Sequence, residues 1–438
     1  MTVDRQLGFW MATALVIGNI IGIGIFVQPA SLAPYGLNAL LAWAVTAAGC
    51  VALAWALALL ARQMPQADGP FSYISATLGE VWAAAALWCY WIAVWVGTAT
   101  IAVGVAGYFA SVLPVFAEVP PAVLAASLLW LFTAINLLGI RSGGWVQLVT
   151  SALKLAPLAL VLGFGLWTLL TEPAAYTQSL PATPLSLSAT MAASTIALFA
   201  MLGIESAVVP ASRVRDPART LPRATMAGTL LAALVYVAVT AVALLLVPQS
   251  GLAESAAPFV TVLDHFMGVG NGRWLGLLIL VSGMGAVNGW TLLAGELTRT
   301  LADHRLLPAV FGRSNRFGAP ANALLLAGLL GTALALMNYS RSFVDGFTFL
   351  TVVATAANLP LYLCCVLGLL VLVRRSPGSL PRFTGVIGTF GVAYTVFTFA
   401  GVGLEPFLWA LALVLMGIPI YLLRRWRGRA AAQPVLKA

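Results

Sequence analysis

Twelve long apolar segments constrain this chain more than any other feature of its sequence. Each has about 20 or more mostly apolar residues, the length that a helix needs to cross the hydrocarbon core of a bilayer. Of the 438 residues, 61% are hydrophobic and only 8% are charged, against about 25% charged residues in soluble domains. The runs are too long for β-barrel strands and lack their alternation, so the sequence predicts an all-α membrane protein. The predicted spans cover 9–36, 38–62, 82–113, 121–140, 145–170, 189–211, 222–247, 272–300, 320–338, 345–373, 384–402 and 405–423.

The formal net charge of +9 is explained by where the basic residues lie. Arginines cluster beside alternate loops, near 213–223, 299–316, 374–382 and 424–429, whereas the opposite loops are mainly acidic, with Arg273 and Arg341 as the basic exceptions. This is the positive-inside asymmetry, and it predicts a plasma membrane protein, in bacteria the inner membrane, with both termini in the cytoplasm. The basic balance therefore reports topology, and no nucleic-acid partner is expected.

The remaining composition argues for a single membrane domain without a cofactor. We predict one transmembrane domain over 1–425 and a cytoplasmic tail over 426–438. Four cysteines lie inside apolar spans and are interpreted as small buried hydrophobic residues. His265 and His304 fall at opposite membrane faces, so no metal site is expected, and no nucleotide-binding GxxxxGK[ST] motif occurs.

Two spans contain residues that suit an interrupted helix. The stretch "IGNIIGIGIF" (17–26) places Gly18, Gly22 and Gly24 within the first span, and "LFAMLGIESAVVP" (198–210) places Gly203 beside the carboxyl group of Glu205. Irregular backbone in a bilayer survives only where it is buried or lines a cavity. Breaks in the first and sixth of ten spans are typical of a secondary transporter built from an inverted repeat. The alternative is that these glycines serve close helix packing, at small-xxx-small spacing.

These residues give the chain a resemblance to the amino acid–polyamine–organocation superfamily, in its basic amino acid/polyamine antiporter branch, and most closely to bacterial arginine/agmatine antiporters. The resemblance covers residues 8 to about 425. It rests on "GNIIGIGIF", on "PQADGPFSYI" (65–74), on "GIESA" (203–207) followed by "RDPARTLPRA" (215–224), and on "GWTLLAGE" (289–296). It implies a leucine-transporter-like fold of twelve transmembrane helices. Inverted repeats of five spans each cover about 8–170 and 189–373, helices 1 and 6 are discontinuous, two peripheral helices cover 384–423, and the chain forms a homodimer in the lipid bilayer.

The chemistry of a broken helix predicts how a small zwitterion would be held. Free N–H groups at the start of a helix carry about half a positive charge and suit a carboxylate, whereas free carbonyls at a helix end suit an ammonium group. We expect the backbone amides of Ile23, Gly24 and Ile25 to bind the substrate carboxylate. The carbonyl groups expected to face the amine are those of Ile20, Phe199 and Leu202.

The resemblance also implies a side-chain pocket, with Trp290 stacking on the substrate. Three positions depart from the arginine/agmatine pattern: Ile23 replaces a serine, Phe199 a tryptophan and Thr98 an asparagine. These changes put arginine specificity in doubt and leave recognition of the amino acid backbone intact. The implied lining is Tyr90, Ala93, Val94, Thr98, Phe199, Leu202, Trp290, Ala354 and Tyr362.

Three ionisable side chains lie within or near the predicted spans, where charge is costly and marks function by default. Glu205 is expected to exchange a proton during gating, the alternative being a packing carboxyl group that stays protonated. The resemblance implies that Lys154 stands in for the sodium ion of sodium-coupled members, bridging to span one near Gly18 and to span eight. The alternative for Lys154 is a lysine at the cytoplasmic end of span five. Glu296 is interpreted as structural or as part of the cytoplasmic mouth.

The sequence therefore predicts a sodium-independent secondary transporter that exchanges or imports amino acids or their amines. Arginine/agmatine antiport is the first expectation, and a proton-coupled or facilitative permease for neutral amino acids is the alternative. A channel is a remote alternative, because two staggered breaks supply no ring of carbonyls or like charges. An enzyme is not expected, because no nucleophile–base pair or metal set is present.

Overall fold

The long apolar segments fold as helices in the computed structural model, which describes residues 8–64, 67, 69–139, 153–178, 183–205, 217–337, 340–375 and 380–417. No β-strand occurs in these ranges. The helices, numbered α1 to α17, are Phe9–Ile20, Gly24–Leu32, Leu37–Gln63, Pro70–Leu78, Glu80–Val112, Pro121–Leu137, Leu155–Thr171, Ala175–Gln178, Leu187–Ala200, Pro217–Leu246, Gln249–Ala253, Pro258–Met267, Arg273–Asp303, Ala321–Met337, Phe343–Arg375, Thr384–Ala400 and Leu404–Leu415.

Five of the described helices are individually long and apolar enough to cross a membrane: Leu37–Gln63, Glu80–Val112, Arg219–Leu246, Arg273–Asp303 and Phe343–Arg375. Five shorter apolar helices, of 10–17 residues, accompany them. Large apolar side chains on these helices face outward, among them Trp167 and Leu170, which are 68% and 76% exposed. An apolar outer surface suits lipid as the surrounding solvent, so the chain is a multi-pass membrane protein.

The end of the chain contains two helices that meet near the predicted boundary between the last two spans. α16 and α17 are joined by a short turn and bend by 109° relative to each other, so they count as a sixth span only if the pair is taken together. The predicted last span runs to 423, and its residues after 417 lie outside the described part, as do the predicted tail and residues 145–152 at the start of span five.

α5 and α2 form the interior of the helix assembly. The most apolar window of α5 is 94% buried inside the protein, against 56% for the corresponding window of α10. α5 packs against α13 and α15, while α10 packs against α1 and α3. All nine residues of α2 are buried. The short helix that follows the first break is therefore enclosed by other helices and has no lipid-facing side.

Candidate substrate site at the two helix breaks

The first break separates α1 from α2. α1 ends at Ile20, and α2 begins at Gly24. The carbonyl group of Ile23 accepts hydrogen bonds from the amides of Phe26 and Val27, at 3.0 and 3.3 Å. No acceptor among the described residues reaches the amides of Ile23, Gly24 and Ile25. These three donors, at the positive end of α2, are the ones predicted to bind a carboxylate.

Two side chains from distant helices hold the last turn of α1. Tyr236 on α10 is fully buried and donates a hydrogen bond from its hydroxyl group to the Ile20 carbonyl oxygen at 3.0 Å. Lys154, which immediately precedes α7 and is 2% exposed, places its Nζ 3.3 Å from the carbonyl oxygen of Gly18. A carbonyl oxygen has two lone pairs. The Ile20 oxygen can therefore accept the hydrogen bond from Tyr236 and still face the ammonium group of a substrate, as predicted.

The second break follows α9, which ends at Ala200, and residues 206–211 of the predicted sixth span lie outside the described part. The amide of Leu202 donates to the Phe199 carbonyl group at 3.1 Å, so this predicted amine acceptor is partly used. The Leu202 carbonyl group receives no backbone donor from the described residues. Gly203 then adopts a φ of 110°, a left-handed conformation that costs about 1–2 kcal/mol for residues with a Cβ. The helix is therefore turned aside at the glycine singled out in the sequence.

Glu205 lies just beyond this break and is 3% exposed. The hydroxyl group of Tyr362 on α15 donates to its Oε2 at 2.7 Å, and the amide of Gly203 donates to the same oxygen at 3.3 Å. The side chain of Tyr90 on α5 also lies beside this carboxyl group. Tyr90 and Tyr362, both predicted as pocket residues, therefore meet at Glu205.

The two breaks pack against each other. A Cβ built on Gly24 would lie 3.5 Å from both the Ala200 Cα and the Phe199 ring. The start of α2 therefore lies against the end of α9. The ring of Phe199 in turn makes an edge contact with Phe347 of α15, with the ring centroids 6.0 Å apart. A Cβ built on Gly22 would meet no described heavy atom within 4 Å, so open space borders the first break.

The predicted pocket wall from α5 and α13 comes together around Trp290. Thr98 donates to the Val94 carbonyl group at 2.8 Å and to the Trp290 carbonyl group at 3.3 Å. A Cβ on Gly97 would lie 2.7 Å from the Trp290 indole, so only a glycine allows this contact without displacing the ring. Ala93 and Ala354 are buried on α5 and α15, which pack against each other, and the Ile23 side chain packs towards Gly283 of α13.

Sequence reasoning missed the polar side chains that fasten α2. Gln28 donates to the Ile196 carbonyl group of α9 at 2.6 Å, and Tyr108 of α5 donates to the Phe26 carbonyl group at 2.9 Å. Thr348 of α15 donates to Ser31 at 2.6 Å. The sequence signal that could have identified them is a polar residue inside an apolar span. Burying a polar side chain in a membrane costs free energy whether or not the side chain is charged.

The described residues contain no group of three or more His, Cys, Asp and Glu side chains that could hold a metal ion. What they present is an interrupted first helix, a second helix that ends within its predicted span, a row of amides without an acceptor, a buried carboxyl group and a buried lysine. This combination is typical of a membrane transporter that binds its substrate where helices are interrupted.

Comparisons with known proteins identify the family. The chain belongs to the amino acid permease family, whose sequence profile matches residues 7–419. It is 29% identical to a proposed arginine/ornithine antiporter of Bacillus subtilis, over 96% of this chain and 97% of the relative. It is 31% identical to a cadaverine/lysine antiporter of Escherichia coli, over 84% of each chain. These relatives are transporters, and the chain is not an enzyme.

A solved structure of a Na⁺-coupled sialic acid symporter, in a substrate-bound outward-open state, shares the fold. The TM-score is 0.54, with 14% sequence identity, and the match covers 91% of each chain.

Proposed function

We propose that this protein is a sodium-independent secondary transporter that exchanges or imports amino acids or their amines across the plasma membrane by alternating access. Arginine/agmatine-type antiport is the first substrate pair to test. The relatives support exchange as the mode, because both are named as antiporters. One of these pairs an amino acid with the amine formed by its decarboxylation, cadaverine with lysine.

The proposed architecture has twelve transmembrane helices. Two inverted repeats of five spans, over about 8–170 and 189–373, are followed by peripheral helices at 384–423, with both termini in the cytoplasm and a homodimer as the assembly. The fold shared with the symporter supports a transporter scaffold. The interruptions in the first and sixth predicted spans fall at matching positions of the two halves, which is where secondary transporters place their substrate.

The observation that carries the proposal is the row of unpaired amides at Ile23, Gly24 and Ile25, packed against the end of α9. An unsatisfied N–H group in hydrocarbon costs several kcal/mol, so a ligand with a carboxylate gives these donors their partner. The ammonium group would face carbonyl groups of Leu202, Phe199 and Ile20. Trp290 and Thr98 would line the side-chain end, together with Tyr90, Ala93 and Ala354.

Coupling is assigned to the two buried ionisable groups. The ammonium group of Lys154 would occupy the place of a sodium ion, supported by its 3.3 Å contact with the Gly18 carbonyl oxygen. Glu205 would gain and release a proton as the site opens, supported by its burial at the end of the second break. Its hydrogen bond from Tyr362 would then depend on the charge of the carboxyl group.

The second candidate function is a proton-coupled or facilitative permease for neutral amino acids. The apolar side chains of Ile23 and Phe199 favour it, because both are buried where the arginine/agmatine pattern has polar or hydrogen-bonding residues. A channel remains the remote alternative and would require a continuous conducting path instead of a closed binding site.

Uptake into proteoliposomes tests these functions. Labelled arginine is supplied outside, with agmatine, lysine, leucine, alanine or nothing inside, at acidic and neutral pH and with or without sodium. Exchange predicts that internal substrate accelerates uptake and that sodium has no effect. Acceleration by a proton gradient alone would select the permease. Absence of saturable uptake for every amino acid and amine would overturn the proposal.

A further inference from the structure

Asn358 on α15 is a buried polar side chain with an unused donor. It is 1% exposed, and no described residue accepts a hydrogen bond from its Nδ2. Buried polar atoms in native proteins are nearly always paired, and each exception calls for an explanation. A second buried asparagine, Asn136, shows the usual outcome, since its Nδ2 donates to Phe132 and Asn288.

The position of Asn358 on α15 directs it towards the second break. An α-helix has 3.6 residues per turn, or about 100° per residue. Viewed down the axis of α15, Asn358 is therefore offset by about 20° from Phe347, three turns earlier, and by about 40° from Tyr362, one turn later. Phe347 contacts Phe199 at the end of α9, and Tyr362 binds Glu205 just after it. Asn358 therefore lies on the same stripe of α15, at a height between these two contacts with the interrupted span.

Other unpaired polar groups near the site have simpler explanations. Thr351, on the same stripe, also has a buried hydroxyl group without a partner among the described residues, but a hydroxyl group both donates and accepts, so it cannot distinguish a carboxylate from an ammonium group. Gln28 has an unpaired Oε1, yet its Nε2 is already bonded to Ile196. Asn358 is distinguished by an NH2 group that can only donate, on α15, a helix that packs against both α2 and α9.

We propose that Asn358 is a specificity-determining residue that donates a hydrogen bond to the carboxylate of an amino acid substrate. The inference rests on the proposed function and adds a chemical criterion to it. A carboxylate accepts hydrogen bonds, whereas ammonium and guanidinium groups only donate them. A decarboxylated amine therefore has no acceptor for Asn358, and the residue stabilises the bound amino acid but not its amine.

The test compares matched ligand pairs, arginine with agmatine and lysine with cadaverine, in Asn358→Leu and wild-type protein. Transport efficiency is measured in proteoliposomes, and equilibrium binding is measured by competition on purified protein. Because hydrogen bonds to charged groups are strong, we expect Asn358→Leu to weaken the two amino acids about 10- to 100-fold and their amines less than about threefold. Asn358→Ser, which keeps a short donor, should recover part of the amino acid affinity.

Asn136→Leu is the control, because it removes a buried asparagine that is paired within the protein. It should affect amino acid and amine in parallel. A parallel loss in Asn358→Leu, or an unchanged ratio in Asn358→Ser if the leucine variant does not fold, would overturn the specificity role. A wild-type protein that transports and binds neither class would instead overturn the proposed function itself.

Discussion

The two helix breaks meet at Gly24, but they are built on different principles. The first break contains no titratable side chain, and its glycines Gly22 and Gly24 are not among those with positive φ. Donors from other helices hold it, through Tyr236 and Lys154. The second break is turned by Gly203, at a φ of 110°, and is followed by a buried carboxyl group.

This difference separates a constant part of the site from a variable one. The amide row at the start of α2 is a dipole of fixed sign, because peptide groups do not titrate over the physiological range. Glu205 is the group that we propose to change its charge, and it accepts hydrogen bonds from Tyr362 and Gly203. Binding is therefore expected to depend mainly on the first break, and coupling to pH on the second.

The largest effect is expected from Lys154→Ala, which removes the cation that holds the first break. Hydrogen bonds to charged groups contribute about 1.5–3 kcal/mol, so exchange should fall about 10- to 100-fold. Size-exclusion chromatography should still show folded protein, and Lys154→Arg should retain more activity because it keeps a cationic donor. If the alanine variant exchanges at the wild-type rate, Lys154 has only a structural role.

Glu205→Gln tests the variable part of the site. The glutamine keeps the shape of the side chain but cannot exchange a proton, so exchange rates at acidic and neutral pH should become equal, while amino acid affinity changes less than about threefold. Glu296→Gln is the matched control, since Glu296 is half-buried on α13 and its buried Oε1 makes no hydrogen bond with a described residue, and it should leave the pH profile intact. A pH response that persists in Glu205→Gln would place the titrating group elsewhere.

The sequence predicted much of this comparison, and its errors have a common cause. Glycines mark both interruptions, and the expectation that Lys154 reaches span one near Gly18 matches the 3.3 Å contact. Tyr236 was not anticipated, because its partner Ile20 lies 216 residues away and tyrosine is ordinary in a membrane helix. Hydropathy placed the boundary between the last two spans at 402–405, near the turn between α16 and α17, but it gives no value for the 109° angle of that turn. Local chemistry can be read from a chain, whereas partners across the fold were anticipated only where the family resemblance supplied them, as for Lys154 and Gly18.

Gly203→Ala should destabilise the second break through the backbone alone. A Cβ in the left-handed region costs about 1–2 kcal/mol, which corresponds to a fall in Tm of about 2–8 °C depending on the size of the cooperative unit. The measurement is thermal unfolding of purified protein in detergent, followed by exchange in proteoliposomes. An unchanged Tm would mean that the chain around Gly203 relaxes without strain.

Tyr236→Phe should produce a smaller effect, confined to the first break. The ring and its edge contact with Trp43 at 5.5 Å are kept, and the hydroxyl group is lost, together with its hydrogen bond to Ile20 and its contact with the backbone of Gly22. A single hydrogen bond contributes about 0.5–1.5 kcal/mol, so affinity should weaken about two- to tenfold. The effect should appear in KM more than in the maximal rate, and it should be the same at acidic and neutral pH. A pH-dependent defect would contradict the separation between the two breaks.

Gly22→Ala should have the smallest effect on stability. It tests whether the glycines of the first break are needed to keep α1 and α2 apart. No described atom lies within 4 Å of the added Cβ, and alanine favours helix over glycine by about 1 kcal/mol. If hydrogen bonds from Tyr236 and Lys154 set the first break, the variant should unfold within about 2 °C of the wild type and still bind substrate.

The methyl group would then occupy the open space beside the amide row, so we expect KM to rise about threefold for arginine and less for alanine, which has a smaller side chain. Complete loss of binding would instead mean that the added helix propensity closes the break, and that glycine itself keeps the two half-helices apart.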